Sequence, residues 1–406
     1  MSVPIHHLEV ANLREARSYL EEVGVDEGGI RIMTPKMIHL KLKIKSRKAQ
    51  AANILKQSML SLGGDAAVSR QAAAMGEEAT DVVLMGDLRH FQALWPKLRV
   101  QPFGLKKVGE EIRRLLENLQ RRDFTLRCPR TILNCGARTL VVGVLNVTPD
   151  SFSDGGLFYG TARAVDHGLR MVEEGADILD VGGESTRPGT DPTSQEEELR
   201  RVLPVIEQLA SRTSVPISID TYKAEIASQA IAAGAQMIND ISALRFDPEM
   251  GSTAARAGVP LILMHIQGTP RDMQKNPHYE DLMGEIIAYL HESIQAALQS
   301  GVDPEQIVVD PGIGFGKTME HNLQIIRRLG ELRCLGRPIL LGTSRKSFIG
   351  RILDLDVNQR VEGTLASISA GILAGAGMVR VHDVAPARQA VDIIDAIRNG
   401  GPVLPA

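Results

Sequence analysis

Side chains suited to binding an anion, a metal ion and a nitrogen heterocycle gather at the ends of short apolar runs in this chain of 406 residues. The run 143–145 ends on Asn146 and opens a polar loop, Val147-Thr148-Pro149-Asp150-Ser151-Phe152-Ser153-Asp154-Gly155-Gly156. Asn146 offers a neutral oxygen to a hard cation, and Asp154 offers a carboxylate further out. Asx and Ser side chains in such a loop also bond their own backbone, and this cluster alone leaves both readings open. A second cluster reads Asp180-Val181-Gly182-Gly183-Glu184-Ser185-Thr186-Arg187-Pro188-Gly189. Its paired glycines let backbone pass close to a ligand. Arg187, in a loop stiffened by Pro188, can grip phosphate oxygens in a fork; a surface arginine without a partner has the same signature.

Asp220, Asn239 with Asp240, and Asp310 each close an apolar run. Carboxylates accept N–H donors from a planar ring such as an aminopyrimidinone, while an amide both donates and accepts. Helix capping explains any one of them. Three converging on one mouth favour a site, because buried polar groups left unpaired are costly. The stretch Asp310-Pro311-Gly312-Ile313-Gly314-Phe315-Gly316-Lys317-Thr318 invites a P-loop assignment, but that fingerprint needs glycine where Pro311 stands. Its alternating glycines fail the dinucleotide pattern too. Lys346, Arg380 and His382 form the basic cluster that an anionic substrate needs. Arg380 and His382 lie two apart on one predicted strand, which points both side chains the same way.

Residues so placed need a scaffold that brings strand ends together. From residue 139 onward the chain alternates apolar runs with helical stretches. The predicted strands are 140–146, 178–182, 216–220, 237–240, 261–265, 307–310, 338–342 and 378–382. Predicted helices include 164–174, 195–212, 223–233, 282–300 and 386–399. Eight such units predict an α/β fold, a (β/α)8 TIM barrel, in which residues at the C-terminal strand ends meet on one face. A doubly wound sheet is the alternative, disfavoured by the lack of a second sheet domain.

Residues 1–130 carry a different pattern. Leu40, Leu42 and Ile44 alternate with Lys41, Lys43 and Lys45, which is strand periodicity. Helices are expected at 49–62 and 108–120, and a buried strand at 82–85. The expectation is a small accessory α/β domain over 1–130, with a ferredoxin-like arrangement as one candidate, joined to a barrel over 137–406. The lysine face suits a protected edge strand better than an anion site.

Composition narrows the function classes. A net charge of -3 provides no general field for nucleic acid, and aromatics at 3% are too few for a base-stacking platform. Cys128, Cys135 and Cys334 have no paired spacing and read as thiols of a reducing compartment. The first ten residues lack the apolar core of a signal peptide, and no run of 18 apolar residues occurs, so a cytoplasmic protein with no membrane partner is expected.

Taken in order, 146–156, 184–189, 218–223, Asn239-Asp240, 310–317, 344–350 and 380–383 resemble the dihydropteroate synthases, over about residues 137–406. The resemblance implies condensation of 6-hydroxymethyl-7,8-dihydropterin diphosphate with p-aminobenzoate to give 7,8-dihydropteroate and pyrophosphate. Carried over by position, Asp220, Asn239, Asp310 and Lys346 hold the pterin, and Asp310, Lys346 and Asp154 serve catalysis. Asn146 binds Mg²⁺ with the diphosphate, which Thr186, Arg187, Arg380 and His382 contact. Phe152, Pro188, Phe315 and Ser347 shape the p-aminobenzoate site. The resemblance also implies a homodimer, and leaves the extension an unassigned module for oligomerisation or regulation. Two rivals remain: a methyltetrahydrofolate-dependent methyltransferase, which needs no diphosphate cations, and a non-catalytic pterin sensor, which needs no closing loops.

Overall fold

The two-residue alternation at the start of the chain becomes β1 (His39–Lys48), whose register pairs it antiparallel with the third strand of a small sheet. Strands β2 (Asp65–Val68) and β3 (Ala79–Asp87) complete that sheet in the order β1-β3-β2, with β3 antiparallel to both neighbours. This computed structural model describes residues 3–74, 79–136, 138–148, 156–185, 189 and 191–401. It divides into two compact units, Met1–Gln120 and Arg121–Ala406.

In the first unit, Leu42, Val82 and Leu84 of the sheet share a core with Leu55 and Met59 of helix Ala49–Leu60 and with Phe91 and Leu94 of helix Leu88–Leu98. Helix Leu105–Gln120 adds Leu105, Val108, Ile112 and Leu116, an i, i+3, i+4 stripe. A ferredoxin-like sheet would have a fourth strand. Among the described residues this unit has three, with the chain continuing in that helix instead.

The division falls at residue 120, ten residues before the expected limit of the accessory domain. The reason is a hairpin, β4 (Phe124–Cys128) and β5 (Thr131–Cys135), turning at Pro129–Arg130. Leu126, Cys128, Leu133 and Cys135 pack on residues that begin the barrel strands, among them Leu140, Ile178, Met237, Leu340 and Met378. The backbone N–H groups of Arg127 and Arg130 donate to Gln306 Oε1 and Gln236 Oε1, both at 3.1 Å. The segment between the two expected domains is therefore the floor of the barrel.

The barrel strands are β6 (Leu140–Asn146), β7 (Ile178–Gly182), β8 (Ile217–Asp220), β9 (Met237–Asp240), β10 (Leu261–Met264), β11 (Ile307–Asp310), β12 (Leu340–Leu341) and β13 (Met378–Val381). They run parallel in the order β11-β10-β9-β8-β7-β6-β13-β12. A parallel bridge between Val309 and Ile339 closes the ring. Helices follow the strands and bury their apolar faces on the sheet, for example Val202, Val205, Ile206 and Leu209 of Gln195–Arg212. The expected strand over 338–342 shortens to two residues, because Gly342 and Thr343 already belong to the loop that carries Lys346.

Candidate active site

Parallel strands deliver their last residues to one end of the barrel, and register decides which of these become neighbours. Gly182, Asp220 and Asn239 stand side by side on β7, β8 and β9. Asn146 ends β6, Asp310 ends β11, and Arg380 lies on β13. The predicted polar mouth therefore exists.

Arg380 organises one side of it. Its Nε donates to Asp180 Oδ2 at 2.6 Å and its Nη2 to Asp220 Oδ2 at 2.7 Å. Asn239 Nδ2 also donates to Asp180 Oδ2, at 3.0 Å. Burial alone would lower the Arg380 pKa, but Asp180 and Asp220 more than reverse this and keep the guanidinium charged. One guanidinium serves two carboxylates here. Burial, opposed by Arg380 and reinforced by the Asp180 charge, pushes the Asp220 carboxyl upward.

Asp310 is held by the loop that follows it. The loop turns through Gly312 at φ 69°, where an added Cβ would lie 1.9 Å from the His265 carbonyl oxygen. Only glycine allows that approach. The turn returns the Gly312 N–H to Asp310 Oδ1 at 2.6 Å. Burial raises the Asp310 pKa to about 6, against the pull of that N–H and of Lys346 and Arg380. Lys346 Nζ sits 4.3 Å from the Phe315 ring centroid, a cation–π contact. Burial and the Arg380 charge lower its pKa to about 8, opposed by Asp310 and Asp220. Ser347 is exposed and begins helix Ser347–Leu353.

His382 follows β13 and is fixed by Ser344. The Ser344 hydroxyl accepts from the His382 backbone N–H at 3.1 Å and lies 2.9 Å from Nδ1. The assignment that satisfies both groups has the hydroxyl donating to Nδ1, which leaves the ring proton on Nε2. Burial, Arg380 and Arg345 push the His382 pKa down to about 3, so the ring is neutral. It can offer an N–H donor but no charge.

Three further features involve residues to which the sequence assigned no individual role. Asp180 is fully buried, and the charged residue inside an otherwise apolar run 178–182 was its signal in the sequence. Lys317 Nζ contacts His265 Nδ1 at 2.8 Å and the Phe315 carbonyl at 2.9 Å. Burial lowers the Lys317 pKa to about 7, opposed by Asp310. Lys223 Nζ joins Glu184 Oε2 at 2.6 Å and Glu198 Oε2 at 2.7 Å, and Tyr222 donates to Glu184 at 2.9 Å. That cluster fixes the start of the loop leading to Thr186.

Asp240, expected beside Asn239 in the ring of acceptors, faces its own turn instead. Its carboxylate accepts from the Ser242 N–H at 2.8 Å, the Ser242 hydroxyl at 2.7 Å and the Leu244 N–H at 2.7 Å. Phe152, Asp154, Thr186, Arg187 and Pro188 lie outside the described residues. The Asn146 side chain is half-buried at the end of β6. No group of three or more His, Cys, Asp or Glu that could hold a metal occurs among the described residues. Mg²⁺ carried with a diphosphate needs only one or two protein oxygens, so a single amide oxygen at this strand end fits it.

A barrel mouth of buried acceptors beside fixed cations defines an enzyme for a flat, N–H-rich ring bearing an anionic group. Residues 142–382 match the model of the pterin binding enzymes. The dihydropteroate synthase of Synechocystis is 49% identical over 269 residues, covering 66% of this chain and 93% of that protein. The solved dihydropteroate synthase of Xanthomonas albilineans with 4-aminobenzoic acid superposes with TM-score 0.64 at 45% identity, covering 70% of this chain and all of that one. The same enzyme in complex with 7,8-dihydropteroate gives TM-score 0.62 at 43% identity, over 69% of this chain and all of that one. A Halobacterium salinarum protein, a probable bifunctional folylpolyglutamate synthase/dihydropteroate synthase, is 41% identical over 397 residues. That match takes in 97% of this chain, and so most of its first unit, but only 47% of the Halobacterium protein. The chain belongs to the pterin-binding enzymes and, among them, to the dihydropteroate synthases, transferases of folate biosynthesis.

Proposed function

We propose that the barrel mouth condenses 6-hydroxymethyl-7,8-dihydropterin diphosphate with p-aminobenzoate, releasing pyrophosphate and forming 7,8-dihydropteroate. The observation that carries this reading is the pairing of buried acceptors with cations at one mouth, Asp220, Asn239 and Asp310 beside Lys346 and Arg380. An acceptor set alone would suit any pterin binder. The cations add a place for a diphosphate.

Asp220, Asn239, Asp310 and Lys346 hold the pterin ring, and Phe315 with Lys346 and Ser347 flanks the p-aminobenzoate. Arg380 and the neutral His382 donate to the diphosphate, and Asn146 supplies the protein oxygen for Mg²⁺. When bound, the metal ion neutralises charge on the leaving group. The C–O bond at the pterin methylene breaks, its electron pair leaves with pyrophosphate, and positive charge develops on the methylene and ring. The Asp310 carboxylate accepts a ring N–H and lowers the energy of that charge, a fixed negative charge placed where positive charge appears. The aniline nitrogen then attacks the methylene and gives its proton to solvent. No residue needs to form a covalent intermediate.

The resemblance to the synthases also supports Thr186 and Arg187 on the diphosphate, with Phe152, Asp154 and Pro188 around the arylamine. It likewise supports a cytoplasmic homodimer. No helix of the described residues is long and apolar enough to cross a membrane. Incubation with both substrates and Mg²⁺ should yield pyrophosphate and dihydropteroate in equal amounts, and neither product in the absence of Mg²⁺. Isolation of a pterinyl-enzyme adduct would overturn the mechanism.

A further inference from the structure

Arg380 and Asn239 sit on opposite strands of the ring, β13 and β9, with three others between them on either side, yet they share one partner. Both donate to the same atom, Asp180 Oδ2, at 2.6 Å and 3.0 Å. Asp180 belongs to the middle of β7, two residues below the level of Gly182 and Asp220, and is fully buried. It touches no solvent and is not among the residues assigned above to substrates. We infer that Asp180 is a positioning residue for the reaction, one that orients the ring-binding amide and the diphosphate-binding guanidinium together.

The amide argument follows from donor counting. With Nδ2 committed to Asp180, Asn239 is held with its oxygen in one defined direction, so the acceptor it presents cannot exchange places with a donor. The guanidinium argument is similar. Nε on Asp180 and Nη2 on Asp220 fix two edges of a planar fork, leaving Nη1 as the part of Arg380 free for an anion. A single oxygen thus sets both orientations, and displacement of Asp180 disturbs both halves of the substrate site. Asp180 Oδ1 accepts no hydrogen bond among the described residues, although it is buried. The register-paired neighbour on β8, Ser218, also has a buried hydroxyl without a partner. This carboxylate is therefore not satisfied by the fold alone, which sets it apart from a purely structural ion pair.

The inference rests on the reading of this mouth as a pterin diphosphate site. Calorimetry on the full chain separates the two. Wild-type protein should bind 6-hydroxymethylpterin and, separately, pyrophosphate with Mg²⁺; failure of the wild type would sink the site reading itself. Asp180→Asn keeps the shape but places an NH₂ or a weaker acceptor against two donors. It should weaken both ligands by about ten-fold or more, the cost of leaving a buried donor unpaired. A loss confined to pyrophosphate would reduce Asp180 to an ordinary partner of Arg380, and binding of both within two-fold of wild type would overturn the inference. If Asp180→Asn does not fold, Arg380→Met is compared with Arg380→Met/Asp180→Asn, which removes both buried charges. With Arg380 already gone, the second substitution should still weaken 6-hydroxymethylpterin through Asn239. No further loss of that ligand would overturn the role.

Discussion

The two units of this chain treat buried polar groups in opposite ways. Among the described residues of the first unit the buried polar side chains are Thr80 and Asp87. Asp87 has a local explanation: it caps helix Leu88–Leu98, accepting from the His90 N–H while the His90 ring receives the Asp87 N–H. In the second unit Asp180, Asn239, Asp310, Lys317 and Ser344 are buried, and among the described residues the buried side-chain atoms without partners, on Asp180, Glu198, Ser218 and Arg337, are all found there. Burying charge costs several kcal/mol unless something compensates. Asp180, Asn239, Asp310, Lys317 and Ser344 gather toward the mouth, as suits a site shaped for a ligand, whereas the described buried polar groups of the first unit are satisfied by their own chain. The match of the Halobacterium protein across nearly the whole chain indicates that this satisfied unit accompanies the barrel elsewhere.

The contrast can be broken most sharply at Lys346. Lys346→Ala removes a cation poised between Asp310, Asp220 and the Phe315 ring. It should lower kcat/KM at least about hundred-fold, as loss of one preorganised electrostatic group typically does. Pyrophosphate release under saturating p-aminobenzoate measures it. A fall below ten-fold would remove Lys346 from the site.

The next effect tests where the barrel unit begins. Leu126 is fully buried between the hairpin and the strand bottoms. Leu126→Ala should cost about 2–5 kcal/mol in denaturant unfolding of the barrel, the range for a buried leucine left as a cavity. A chain of residues 121–406 should retain turnover, while one of residues 137–406 should be markedly less stable. Equal stability of the two would place the hairpin outside the barrel unit.

The acid–base balance of the mouth gives a smaller, graded effect. Asp310 must be ionised to stabilise positive charge, and its pKa is raised to about 6, so kcat/KM should rise with pH through that value. Lys346 must be charged, and its pKa is lowered to about 8, so the rate should fall above it. Each limb changes about ten-fold per pH unit well outside its pKa. Asp310→Asn should remove most activity and its own contribution to the acid limb, leaving that of the raised Asp220 carboxyl. A flat profile from pH 5 to 9 would mean that neither group titrates as its burial requires. His382, with its pKa near about 3, contributes no limb in this window.

Much of the barrel was legible because a parallel strand covered on both faces has to be apolar throughout, and its last residue has to leave the core. Asn146, Asp220, Asn239 and Asp310 stand out for that reason. Asp180 also stands out as a charge inside an apolar run, but its role depends on Arg380, 200 positions away. Pairings such as Lys317 with His265 and Ser344 with His382 are equally non-local. Asp240 erred in the other direction: adjacent to Asn239 in sequence, it alternates to the opposite face and serves the turn. The hairpin over 124–135 was hidden by Arg127, Pro129 and Arg130, although Leu126, Cys128, Leu133 and Cys135 keep the two-residue period.

The smallest effect belongs to the lysines of β1, and it is where the comparison between the units is most exposed to failure. Lys43 pairs with Asp81 at 3.3 Å on the surface, both side chains about half exposed. Exposed pairs contribute about 0–1 kcal/mol, because solvent screens them and ordering two long side chains costs entropy. Lys43→Ala should therefore change unfolding free energy by no more than about 0.5 kcal/mol. Lys41→Glu/Lys43→Glu, a reversal of sign on this face, should leave kcat/KM within two-fold if the first unit takes no part in handling the anionic substrate. A drop of ten-fold or more, relieved at high salt, would show its field acting on the diphosphate. The first unit would then be a contributor to catalysis in spite of its satisfied core.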